Sequence, residues 1–233
     1  MSTLSFSEKM FGTTILDGDR ALLAKKTYAL LLISVVMASV GGYSCSHSEA
    51  MLSFFLRPVG WISALVLLNV VPYFALWASR QSPSLGIVAL AADGFISGIA
   101  LGPLLAIANY LSPGTIPAAL AVTGGVFVAV TGYMMFTRER FSAPAGLLTG
   151  MFVSLVAASV LNLFFQLPIL HTIIAAGIGI FGVIMLVYAT SDVLSNPDYD
   201  NPVQGALMMF AALFNIFVSA LHLLLRFFGG RRS

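Results

Sequence analysis

Asp93 stands in the middle of the apolar run LGIVALAADGFISGIALGPLL, eight residues beyond Leu85. On a helix that is roughly 12 Å from the start of the run. A bare carboxylate at such depth in hydrocarbon costs about 3 kcal/mol or more. Two readings follow: a proton- or cation-responsive group facing the interior, or a protonated or helix-bonded acid that only packs. The segment VYATSDVLSNPDYDNP (187–202) holds three more aspartates and no lysine or arginine. Asp198 and Asp200 fall in NPDYDNP, where Asn and Pro mark a turn, and read as a solvated loop. Asp192 lies at the edge of the apolar run before it. Asn162 and Asn215 interrupt other apolar runs, where amides tend to hydrogen-bond across helices. His171 follows QLP at the outer end of its run and reads as a corner anchor.

Other chemistries find no support. His47, His171 and His222 are far apart, without HExxH or another metal spacing. The single Cys45 excludes an intrachain disulfide and a cysteine metal cluster. There is no GxSxG nucleophile turn, and GIGI at 177–180 lacks the aspartate that a membrane aspartyl protease would need. The expectation is a protein that is not an enzyme, with no cofactor and no bound metal.

The elements that must position these residues are membrane helices. The chain is 59% hydrophobic and only 9% charged, with a mean hydropathy of +0.98, whereas a soluble globule carries about 25% charged residues. Too few polar residues remain to cover a water-facing surface, so the lipid bilayer is the expected solvent. The runs are long and rich in Leu, Ala, Val and Phe, unlike the alternating segments of a barrel. A net charge of +2, scattered near run ends, gives no reason to expect a nucleic-acid partner.

Seven runs approach the roughly 20 residues that a crossing needs: Thr27–Cys45, Leu52–Ala78, Leu85–Ala108, Ile116–Phe136, Ala143–Phe165, Pro168–Thr190 and Val203–Phe228. The expected fold is an all-α integral membrane protein, a seven-helix bundle over 27–229 preceded by a cytosolic tail, 1–26. The tail is polar, carries Lys9, Arg20, Lys25 and Lys26, and does not read as a signal peptide. Arg80, Arg138 and Arg140 fall on the same side as this tail, and the alternate loops around Ser46–Met51, Tyr110–Thr115 and Gln166–Leu167 carry no basic residue. The positive-inside rule therefore puts the N-terminus in the cytoplasm and, after seven crossings, the C-terminus outside. Arg226, Arg231 and Arg232 run against that rule, so a final segment that dips in and returns stays open.

Gly94, Gly98 and Gly102 recur every fourth residue and share one helix face, which suits close approach of another helix. Pro103 removes a backbone donor just beyond, as a bend or hinge would require. Gly177, Gly179 and Gly182 give a second small face.

The runs LNLFFQLPILHTIIAAGIGIFGVIMLVYATSDVL and GALMMFAALFNIFVSALHLL, with GFISGIALGPLL and KKTYALLLISV earlier, resemble the Bax inhibitor-1 family, and within it the bacterial YccA-like branch. The resemblance spans about residues 24–229 and is strongest in the last third. It implies a seven-helix bundle with the last helix near its centre and a cytosolic N-terminus. It implies a role in stress protection at the bacterial inner membrane, and as partner the membrane-anchored AAA+ protease FtsH, which such proteins restrain. It also implies an alternative, a pH-sensitive calcium leak with Ca2+ or H+ as ligand. Calcium-leaking relatives use two acids, one following the aromatic at the Tyr188 position and one in the last helix. Here those positions hold Ala189 and Ala212. Asp93, alone or with Asp192, is the candidate replacement.

Overall fold

The computed structural model describes residues 18–137, 140–141, 145–196 and 198–228. These form α1 (Gly18–Ser46), α2 (Glu49–Phe55), α3 (Pro58–Gln81), α4 (Pro83–Leu111), α5 (Thr115–Thr137), α6 (Ala145–Phe165), α7 (Pro168–Ser195) and α8 (Pro202–Phe228), with no strand among the described residues. Lys9 and the rest of 1–17, Arg138, Ala143, Arg231 and Arg232 lie outside the described residues.

Among the described residues six helices are long and apolar enough to cross a membrane; the apolar stretch Gly146–Asn162 of α6 is shorter. Large apolar side chains face outward along these helices, among them Leu32, Val36, Val70, Val88, Val128 and Ile173. Such a surface suits lipid and not water.

Two expected boundaries move. α1 begins at Gly18, not Thr27, so the end of the expected tail is already helical. Arg20, Lys25 and Lys26 are good helix formers and carry the helix past the apolar run. The expected span Leu52–Ala78 is two helices, α2 and α3, broken at Leu56–Arg57. Pro58 disfavours helical geometry at Arg57, which is extended at φ −82°, ψ 152°. A basic residue, Arg57, therefore sits between helices at an end where the sequence reading found none.

Helix starts follow proline. Pro58, Pro83 and Pro168 occupy the first turn of their helices and Pro202 opens α8, where the missing N–H costs nothing. Pro72 and Pro103 lie inside α3 and α4, which run on through them.

The last helix is the hub. α8 packs against α1, α3, α4, α5 and α7, and the tightest pairings are α1 with α4 and α7 with α8. Leu90, Met134, Leu186, Val193, Met209 and Ala212 are buried in the core around it. α6 stands at the periphery on α7. In lipid no hydrophobic force draws helices together, so small residues that permit close backbone contact carry the packing.

Candidate functional site

The glycine face of α4 meets a matching face of α1. A Cβ on Gly94 would lie 2.5 Å from the Ser34 carbonyl oxygen, one on Gly98 2.0 Å from that of Ala38, and one on Gly102 2.4 Å from Cys45 Sγ. From α1, a Cβ on Gly41 would lie 2.2 Å from the Phe95 carbonyl oxygen. Both series ascend together, so the two helices run parallel. Asp93 is one residue before Gly94 and is 4% exposed, with Ser97 one turn on and equally buried. Ser34, also buried, spends its hydroxyl on the Leu30 carbonyl at 3.3 Å. Among the described residues Asp93 has no ion pair and no hydrogen bond. It is a buried acid at a tight helix contact.

The acidic segment lies elsewhere, at the end of the bundle where α1 begins. Asp192 accepts a hydrogen bond from the Asn196 amide, and Arg140 donates to the Asn196 carboxamide oxygen. Ser191 accepts from the Phe141 backbone N–H at 2.8 Å. The chain entering α6 is thus held to the end of α7. Asn201 caps α8: its Oδ1 accepts from the N–H of Val203 at 3.0 Å and of Gln204 at 3.2 Å, and its Nδ2 donates to Ser79 Oγ at 3.1 Å. Tyr199 is buried, with its hydroxyl against Gly205, beside Val193 and Thr27. Burial, reinforced by the carboxylates of Asp192 and Asp200 and by Tyr188, holds its phenol well above the usual range. Asp198 is exposed in the turn, where its N–H donates to Asn196 Oδ1 at 3.2 Å.

Asp93 and Asp192 are not brought together. Val193 lies at the level of Thr27, and Gly94 at that of Ser34. Seven residues of α1 separate these levels, roughly 10 Å at 1.5 Å per residue. α4 and α7 are not principal neighbours either; α8 packs against both. Ala189 and Ala212 are buried in the core. α7 and α8 run antiparallel, with Gly182 against Ala212 and Asn215, Gly179 against Ser219, and Val193 against Gly205. This register leaves the two alanines about one turn apart, roughly 5 Å along the axis.

The far end of the bundle gathers polar groups that the sequence scattered. His171, at the start of α7, and His222, near the end of α8, meet edge to face with ring centroids 5.3 Å apart. His222 Nδ1 lies 2.9 Å from the Val218 carbonyl oxygen. Arg226 donates to the Pro168 carbonyl. Asn162 lies beside them, its carboxamide oxygen buried with no hydrogen-bond partner among the described residues. No spacing signal could have paired His171 with His222. Asn201 was legible, since an Asn directly before Pro at a helix start is a capping pattern.

Similarity to known proteins covers most of the chain. The family described as Inhibitor of apoptosis-promoting Bax1 matches residues 20–232. An uncharacterized protein of Campylobacter jejuni is 32% identical over 214 residues, 91% of each chain. An uncharacterized protein of Neisseria meningitidis is 30% identical over 205 residues, 86% of this chain and 89% of the other. An Escherichia coli protein named as a modulator of FtsH protease, YccA, is 29% identical over 215 residues, 91% of this chain and 92% of its own.

Proposed function

Because this chain belongs to the Bax inhibitor-1 family, we propose that it is an inner-membrane modulator of membrane-protein quality control that binds and restrains the FtsH protease. The observation that carries this reading is the likeness to the E. coli modulator of FtsH protease along 91% of the chain. The protein acts by contact and not by catalysis of its own. It crosses the membrane seven times, with α6 as the short crossing, its N-terminus in the cytoplasm and its C-terminus outside. Lys25, Lys26, Arg80 and Arg140 at the α1-start end, against Arg57 and Arg226 at the other, support that orientation.

The test is copurification of detergent-solubilised protein with FtsH, together with the degradation rate of a membrane substrate in its presence. Association and slowed degradation are expected. Unchanged degradation at saturating protein would overturn the reading.

A second reading, a pH-sensitive cation leak, is favoured by the buried Asp93. The alanines at 189 and 212 count against the two-acid design of calcium-leaking relatives. Calcium flux into proteoliposomes, measured from mildly acidic to mildly alkaline pH for the natural protein and Asp93→Asn, separates the cases. Flux that responds to pH and disappears in Asp93→Asn supports the leak; no flux from folded protein removes it.

A further inference from the structure

At the far end of the bundle, α6, α7 and α8 leave an open cleft of about 370 Å³ lined by Asn162, Gln166, Leu167, Pro168, His171 and Arg226. Among the described residues its polar lining is cationic or neutral, with no carboxylate. Arg226 spends one N–H on the Pro168 carbonyl, and a guanidinium has further donors in a fixed fork that matches phosphate oxygens. His171 and Gln166 are exposed and add ring and amide donors. The Asn162 carboxamide oxygen, buried in the wall without a hydrogen-bond partner among the described residues, is an acceptor, so the group that would satisfy it is a headgroup ammonium or hydroxyl beside the phosphate and not the phosphate itself.

The cleft's surroundings indicate where its ligand comes from. Phe164, Phe165, Ile169, Ile173 and Phe227 around it are all more than half exposed. They form an apolar collar beside a polar cleft at helix ends, where the hydrocarbon gives way to headgroups. A ligand with a phosphate at one end and acyl chains at the other fits both parts.

We propose that this cleft binds the phosphate of a phospholipid headgroup, with Arg226 and His171 as its donors and the acyl chains lying along the Phe164–Ile173 collar.

Native mass spectrometry of the detergent-purified full chain tests this, titrated separately with phosphatidylethanolamine, phosphatidylglycerol, diacylglycerol and inorganic phosphate. Discrete binding of one phospholipid, absent for diacylglycerol, is expected. Arg226→Gln should weaken it by about tenfold or more, as loss of a charge-assisted hydrogen bond implies. His171→Leu should weaken it less, and Arg80→Gln, at the opposite end, not at all. Arg226→Gln also removes the bond to Pro168, so His171→Leu, at an exposed side chain that makes no hydrogen bond among the described residues and keeps an apolar group against His222, provides the second variant. Inorganic phosphate that binds and competes with lipid would retain the phosphate site and assign it to the free anion. Equal binding of diacylglycerol, or phospholipid binding unchanged in both cleft variants, would overturn the proposal.

Discussion

Gly98→Ala measures how closely α1 and α4 approach. The added Cβ would sit 2.0 Å from the Ala38 carbonyl oxygen, 2.7 Å from the Ala38 carbonyl carbon and 2.8 Å from the Gly42 nitrogen. All three are backbone atoms, so no side chain can swing aside. Real Cβ contacts are almost never under 3.0 Å; the helices must separate by about 1 Å at this point, and Gly94 and Gly102 lose contact with their partners as well. Overpacking of this kind costs about 1–3 kcal/mol, against at most about 1 kcal/mol gained from alanine's helix propensity. The control is Gly125→Ala on α5, where an added Cβ meets nothing within 4 Å. That variant should be neutral or stabilised by up to about 1 kcal/mol. The assay is thermal unfolding of the purified protein in one detergent, read from helical circular dichroism. Gly98→Ala should melt clearly below the natural protein and Gly125→Ala at or above it. Equal melting of the two would refute the tight α1–α4 contact as the source of stability.

Three further outcomes follow from single residues. Asn201→Ala removes the α8 cap and the bond to Ser79, and should cost about 1–2 kcal/mol; Asn201→Asp, which keeps the capping oxygen, should cost less in the same melt. Tyr199 binds its proton more tightly in the folded protein than in the unfolded chain, because burial first and the nearby carboxylates second raise its pKa. Its contribution to stability is therefore intact below the ordinary tyrosine pKa of about 10 and declines as pH rises above it. Tyr199→Phe should flatten that alkaline decline while changing little at neutral pH, since the hydroxyl has no hydrogen-bond partner among the described residues to lose; stability measured against pH decides. Gln166 adopts φ 47° between α6 and α7, a conformation that costs a residue with a Cβ about 1–2 kcal/mol. Gln166→Gly should raise the unfolding temperature, and an unchanged or lower one would show the strain to be compensated.

Several features were legible locally. The solvent follows from composition. The helix starts at Pro58, Pro83, Pro168 and Pro202 follow from proline chemistry, and the α8 cap was written in Asn201–Pro202. The break at Arg57–Pro58 was written there too, but a reading by hydropathy averages one arginine into a long apolar run. Family likeness told more than periodicity did in the last third, because ordered matches carry register and a hydrophobic run carries none.

The sequence by itself determined an all-helical chain built for lipid, with its acids, amides and histidines at known depths along their helices. Only the tertiary structure decided which of these meet. Gly98 and Gly125 look alike as letters, yet one lies against backbone and the other against open space, since a residue without a side chain keeps no mark of its neighbour. Asp93 and Asp192 are separated, while His171 and His222 are joined across 51 positions, because helix order and register in the bundle set those distances. Depth along a helix is a local quantity; the partner across the contact is not.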